Sequence, residues 1–278
     1  MIYKTLNIDI DYARIGTDNA GFQCTLTLYL PENSEEIDPK RCRPTVVVLP
    51  GGAYAFRSRR EAEPIALKFL AEDCNAALLE YSVAPTHFPA ALLETAQAIA
   101  LLREHAEEWN VDPDKIAVCG FSAGGHLAAS YGTLWDRDFI TDYYGYRNCE
   151  HKPNGMILCY AVTSAGYWAH RGSIENLLGD KADDPEMLEL VSAEKQVTGA
   201  TPPAFIWHTF DDGCVPVQNA ILMAGALAEK NINAEVHIFP HGPHGFSLAN
   251  ETVYGCYDGQ HSECQAWIDM AVRWLKSL

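Results

Sequence analysis

The pentapeptide Gly120-Phe121-Ser122-Ala123-Gly124 is the sharpest chemical feature of the chain. It stands between a short apolar run, 115–119, and a segment of small residues, so a strand must turn abruptly into a helix. Such a turn drives the serine into a strained conformation and lifts its Oγ out of the sheet. Small residues at 120 and 124 matter because neighbouring backbone is pressed against the turn. A serine hydroxyl is a weak nucleophile; it needs a base, and the base needs an orienting acid. Two later strand ends supply both, in the order serine, acid, histidine. The run 203–209 ends in Asp211-Asp212-Gly213-Cys214-Val215-Pro216, and 234–240 ends in His241-Gly242-Pro243-His244-Gly245-Phe246.

Each end offers a choice. Asp212 falls after its strand has ended and four residues before Pro216, whereas the Asp211 side chain should point the other way; Asp212 is preferred. His244 is preferred over His241, because flanking glycines let its loop reach back over the sheet. The same four residues do not read as a metal site, having neither H-x-x-x-H spacing nor a further ligand. Acyl transfer also needs N–H groups aimed at a developing oxyanion. The natural donors are Ala123, just after the serine, and Gly52 or Ala53 in the loop Pro50-Gly51-Gly52-Ala53-Tyr54. Tyr54, Phe56, Tyr167, Trp168 and Phe246 are candidate pocket walls, since aromatic faces suit sugar rings or acyl groups.

The elements that must carry these residues are legible from periodicity. Alternation over 6–12 and 23–30, with Gly16 and Gly21 between, predicts an antiparallel hairpin. Short β-rich runs then recur at 45–49, 75–81, 115–120, 155–161, 203–209 and 234–240. Most are apolar throughout, as in strands covered on both faces. Between them Leu92, Ala96, Ile99, Leu102, Ala106 and Trp109 share one helical face, with further helical spacing at 60–73, 123–131, 216–230 and 264–278. This predicts an α/β fold with a mostly parallel sheet between helices. The exception is 131–202, long and aromatic, with one convincing strand and a short helix opening at Asp184-Pro185. No repeat or linker divides the chain, so 1–278 reads as one domain with a cap-like insert at about 162–200.

The chain of 278 residues has 20 Lys and Arg against 37 Asp and Glu, a net charge of −17. That surface disfavours nucleic acid and anionic membranes as partners and fits a small, neutral ester substrate. Monomer and homo-oligomer stay open. No apolar stretch is long enough for a membrane span and the N-terminus lacks a signal-like core, so a reducing cytoplasm is expected. Nine cysteines without a C-x-x-C pair read as free thiols, Cys119 and Cys159 among them as buried hydrophobes. A Cys256–Cys264 disulfide would require secretion and leave an odd remainder.

These segments together resemble the α/β-hydrolase fold esterases, specifically the acetyl esterase/lipase and acetylxylan-esterase-like group that includes bacterial sugar hydrolases. The resemblance rests on Pro50-Gly51-Gly52-Ala53-Tyr54, on Tyr81-Ser82-Val83-Ala84-Pro85 with Phe88-Pro89-Ala90-Ala91, on the elbow through Ala128, and on the Asp212 and His244 segments. It implies an eight-stranded sheet with one antiparallel strand and a triad of Ser122, Asp212 and His244. It further implies ester hydrolysis without a metal or organic cofactor, with acetyl esters of carbohydrates or small alcohols as substrates. Pro50 replaces the histidine of lipase-like relatives and Ala53 replaces a third glycine; Ala53 keeps its donor role provided its φ is negative. His126 reads as structural, and His87 as packing or pocket entrance. Amide or arylformamide hydrolysis, acyl transfer and a silent binding scaffold are the competing readings.

Overall fold

Thr45-Val46-Val47-Val48-Leu49 is buried at every position because this strand lies inside the sheet with helices on both sides. The computed structural model describes residues 1–254 and 258–278. Its strands are β1 (Ile2–Asn7), β2 (Thr25–Leu30), β3 (Arg43–Leu49), β4 (Asn75–Glu80), β5 (Val111–Phe121), β6 (Gly155–Cys159), β7 (Ala204–Thr209) and β8 (Ala234–Phe239). They form one eight-stranded sheet in the order β1-β2-β4-β3-β5-β6-β7-β8. β2 runs antiparallel to both β1 and β4, and every other pairing is parallel. This is the mostly parallel sheet that the periodicity predicts, in the α/β-hydrolase arrangement with a single antiparallel strand that the resemblance implies.

Strand alternation divides the core into two layers. Leu26, Leu28, Val47, Leu49, Ala77 and Leu79 face one side, while Tyr29, Val46, Val48, Ala76 and Leu78 face the other. Helices α2 (Ala90–Glu104), α3 (Ala123–Leu134) and α7 (Gln218–Glu229) cover the first side through residues such as Ile99, Leu127 and Met223. Helices α1 (Glu63–Ala71) and α8 (Trp267–Ser277) cover the second through Phe69, Trp267 and Leu275.

Three details differ from the sequence reading. The first strand is Ile2–Asn7 rather than 6–12: its alternation continues, but Asp11 and Tyr12 leave the sheet for other partners. Tyr12 Oη donates to Glu94 Oε1 at 2.7 Å, and Asp11 accepts from Arg14 N. Trp109 is buried, yet it lies beyond the end of α2. The segment 131–202 holds more structure than predicted: α4 (Asp138–Tyr144), α5 (Arg171–Leu178) and α6 (Pro185–Leu190) in addition to β6. α6 opens where expected, Asp184 capping it by accepting from Glu186 N.

Cys119 and Cys159 are buried free thiols. Cys256, whose disfavoured pairing with Cys264 would require secretion, lies outside the described residues. No helix among the described residues is long and apolar enough to cross a membrane.

Candidate active site

Ser122 is the hinge between β5 and α3, with φ 52° and ψ −116°. A non-glycine residue there is strained, and hydrogen bonds on three sides hold it. Ser122 N donates to Cys159 O, and its carbonyl accepts from His126 N and Val162 N. The flanking glycines follow from contact: a Cβ on Gly120 would stand 2.0 Å from Gly124 O, and one on Gly124 would stand 2.1 Å from Leu49 O. The hydroxyl projects into a cleft of about 170 Å³, lined among others by Gly52, Ala53, Phe56, His170, Cys214 and His244.

His244 reaches the serine from the loop after β8, with Nε2 2.8 Å from Ser122 Oγ. Its other ring nitrogen, Nδ1, lies 2.7 Å from Asp212 Oδ2. Asp212 is fixed in turn, Oδ1 accepting from Cys214 N at 2.8 Å and Val215 N at 2.9 Å. Burial pushes the Asp212 carboxyl up, but hydrogen bonds from His208 and His244 outweigh it and hold the group well below the usual carboxylate range. Asp212 is therefore an anion at neutral pH, positioned to fix the proton on His244 Nδ1 and leave Nε2 free to accept. Asp211 and His241 form a separate outer pair, Nδ1 to Oδ2 at 2.8 Å, with Gly242 N also donating to Asp211.

The loop after β3 forms the facing wall. Gly52 has φ 131°, and a Cβ there would meet Phe56 O at 2.1 Å. The negative φ anticipated at Ala53 is not found: Ala53 and Tyr54 have φ of 53° and 54°. The cause is a tight left-handed turn, closed by Ala55 N and Phe56 N donating to Gly52 O. Asn176 Nδ2, from α5, donates to Ala53 O at 2.8 Å, and Ala84 N donates to Tyr54 O. Among the described residues, the N–H groups of Gly52, Ala53 and Ala123 have no intramolecular acceptor, so Ala53 keeps a free donor despite its positive φ.

The aromatic candidates separate. Phe56 lines the cleft and is 60% exposed, whereas Trp168 is exposed on the segment leading to α5 and is not part of the cleft lining. Tyr54 instead points away from the cleft into the core, its hydroxyl 2.8 Å from His126 Nδ1. His126 donates from Nε2 to Val191 O, so it bridges the loop after β3, the elbow helix and the end of α6, a structural part. Phe246 is buried against Ala249, Cys264 and Tyr254 rather than lining the Ser122 cleft. His87 binds Asn176 O through Nδ1.

Sequence reasoning missed three groups. His208 is wholly buried beneath Asp212, with Nε2 2.9 Å from Val215 O and 3.4 Å from Asp212 Oδ2. Its position four residues before Asp212 was the only signal. His170 lines the cleft, and burial, with the nearby His244, pushes its imidazole down toward the neutral form. Glu61 lies at the cleft wall with its carboxyl group buried, in a stretch, Arg59-Arg60-Glu61-Ala62-Glu63, that reads as a charged surface.

The chain has counterparts among known proteins in both sequence and fold. The BD-FAE family model matches residues 26–227. The chain belongs to the BD-FAE family. Beyond the family model, this BD-FAE chain is 36% identical over 222 residues to endo-1,4-beta-xylanase B of Butyrivibrio fibrisolvens, covering 78% of the chain and 34% of that protein. It is 29% identical over 262 residues to an acetylxylan esterase of Xylanibacter ruminicola, covering 91% and 48%. The chain thus spans between a third and a half of these two relatives. Among solved structures, it is similar to an acetyl ester-xyloside bifunctional hydrolase from Caldicellulosiruptor lactoaceticus, with a TM-score of 0.81, 35% identity, and 99% and 96% of the two chains covered. The carboxylesterase Cest-2923 from Lactobacillus plantarum gives a TM-score of 0.84 at 25% identity, covering 100% and 98%.

Proposed function

We propose that this BD-FAE chain is a serine carboxylic-ester hydrolase that works through an acyl-enzyme, on acetyl esters of carbohydrates or small alcohols. The observation that carries the reading is the unbroken hydrogen-bond chain from Ser122 Oγ through His244 to Asp212 at the floor of an open cleft. His244 Nε2 takes the serine proton as Oγ attacks the ester carbonyl. Asp212 holds the imidazole tautomer and stabilises the imidazolium that forms. The free N–H groups of Ala123 and of Gly52 or Ala53 receive the oxyanion. The imidazolium protonates the leaving alcohol, and His244 then activates water against the acyl-enzyme. No metal or organic cofactor enters this sequence.

Preference for acetyl is supported by the cleft's small volume and by the two relatives named for acetyl-ester cleavage. The chain is read as a single domain, with 162–200 as a cap-like insert that limits the acyl pocket. Its α5 touches the oxyanion loop through Asn176. A small neutral ester is the partner this reading requires, and a cytoplasmic location suits the free thiols.

A hydrolysis panel tests the reading: 4-nitrophenyl esters of increasing acyl length, acetylated xylo-oligosaccharides, and an N-formyl arylamine. Highest kcat/KM on acetyl esters, abolished in Ser122→Ala, is the expected result. Preference for the formamide, or turnover that survives Ser122→Ala, would overturn it.

A further inference from the structure

Glu61 is a carboxylate that the triad does not use, although it lines the same cleft. It is 2% exposed at the end of a single helical turn, Arg59–Glu61, just before α1. Each of its oxygens accepts a hydrogen bond. Oε2 takes Gly51 N at 2.9 Å, from the loop that carries the proposed oxyanion donors. Oε1 takes the Tyr160 hydroxyl at 2.7 Å, one residue past β6. That hydroxyl also accepts Ser247 N at 2.9 Å, three residues after His244. The Ser247 hydroxyl closes the circuit by donating to Arg60 O at 2.6 Å. One buried side chain therefore ties together the turn beside the oxyanion donors, the end of β6 and the histidine loop. Gly51 carries no side chain because a Cβ there would lie 2.7 Å from Glu61 Oε2 and 3.0 Å from Ser122 Cβ.

The charge of Glu61 is directed at the same place. A Cβ on Gly245, next to His244, would stand 3.8 Å from Glu61 Oε1 and 3.4 Å from the Arg60 guanidinium. The Tyr160 ring meets the His244 imidazole edge-on, with centroids 5.2 Å apart. The groups facing His244 are therefore Asp212, Glu61, Arg60, His170, Cys214 and Tyr160. The Arg60 guanidinium lies on the same side, and its charge is coupled to that of Glu61. Burial pushes the Glu61 carboxyl up, against the hydrogen bonds from Tyr160 and Gly51 and the charges of His244 and Arg60. All its contacts suit an acceptor-only carboxylate.

We propose that Glu61 is a positioning residue: its buried carboxylate fixes the oxyanion loop relative to His244 and adds a second negative charge that favours the imidazolium. The inference rests on the serine-hydrolase reading and deepens it. Both effects are exerted mainly in the transition state, so they fall on kcat rather than KM.

The test is the pH profile of kcat/KM on one acetyl ester, with the rate of fluorophosphonate labelling of Ser122 followed in parallel. Labelling needs no knowledge of the natural substrate, so absence of labelling in the wild type would count against the triad and not against Glu61. Glu61→Gln removes the charge, and its amide cannot accept from both donors. We expect kcat to fall roughly 10- to 100-fold with KM little changed, and the acid limb to move about half a pH unit lower. Glu61→Asp keeps the charge but cannot span both donors, so kcat should fall while the limb stays. A limb that does not move in Glu61→Gln, or that moves equally in Glu61→Asp, would overturn the proposal. If Glu61→Gln does not fold, Tyr160→Phe decides, since it retains the carboxylate but cuts its link to Ser247. A fall in kcat of about tenfold without a lower acid limb is predicted, and unchanged kcat would overturn the inference.

Discussion

Asp212 Oδ2 stands 2.7 Å from His244 Nδ1, while Asp211, the preceding residue, turns the other way and holds His241 at 2.8 Å. Each of the two adjacent acids thus holds a different histidine of the loop after β8, and only the Asp212–His244 pair reaches Ser122. Asp212→Asn should lower kcat by about 10⁴-fold, because the amide no longer enforces the productive tautomer. Asp211→Asn should change kcat less than about fivefold, since its partner is solvent-exposed. Steady-state kinetics on an acetyl ester separates the two, and equal losses would reverse the assignment.

The elbow should tolerate no extra carbon. In Gly124→Ala the new Cβ would lie 2.1 Å from Leu49 O and 2.4 Å from Pro50 O, both backbone atoms that cannot yield independently. A loss of at least about 3 kcal/mol is expected, near 10 °C in Tm. Gly225→Ala is the matched control in α7: a Cβ there has nothing within 4 Å. It should leave Tm unchanged or raise it slightly, as alanine favours a helix. Scanning calorimetry of both proteins checks the contrast.

The hydrogen bond from Asn176 to Ala53 O joins α5 to the loop that carries the proposed oxyanion donors. Asn176→Ala should therefore lower kcat about five- to tenfold, with Tm changed by less than about 2 °C. Kinetics and thermal unfolding of the same preparation check this. An altered KM at unchanged kcat would mean that the contact shapes substrate binding instead.

The buried His126 makes stability depend on pH. Burial pushes its imidazole down from 6.5 to about 4, partly opposed by the bond to Val191 O. Between those values the unfolded chain binds the extra proton and the folded one does not. Stability is therefore undiminished by this group above about 6.5 and falls as pH drops toward 4, by on the order of 2 kcal/mol at about pH 5. His151, also pushed down by burial, acts in the same direction. Urea unfolding at several pH values should show this slope, reduced in His126→Gln.

Much of this arrangement is legible in the chain because strong local constraints leave a mark. The strand-to-helix turn at Ser122 demands glycines at 120 and 124, and strand order fixes where an acid and a histidine can follow. The continuous apolar runs of β3 and β6 announce a sheet covered on both faces. What escapes is whatever depends on tertiary contact. Glu61 looks like one more charge between Arg60 and Glu63, and only the fold reveals that it is buried between Gly51 and Tyr160. Tyr54 and Phe246 look like pocket walls until the turn at 53–54 and the packing of Ala249 and Cys264 direct them inward. Ala53 adopts a positive φ because Gly52 O closes a turn that its own sequence does not advertise.

The most direct test of the central claim is the site of covalent modification by a fluorophosphonate, read by intact mass and peptide mapping. One adduct per chain is expected, located on Ser122, absent in Ser122→Ala and strongly slowed in His244→Ala. An adduct that persists in Ser122→Ala, or a wild-type protein that forms none, would contradict it.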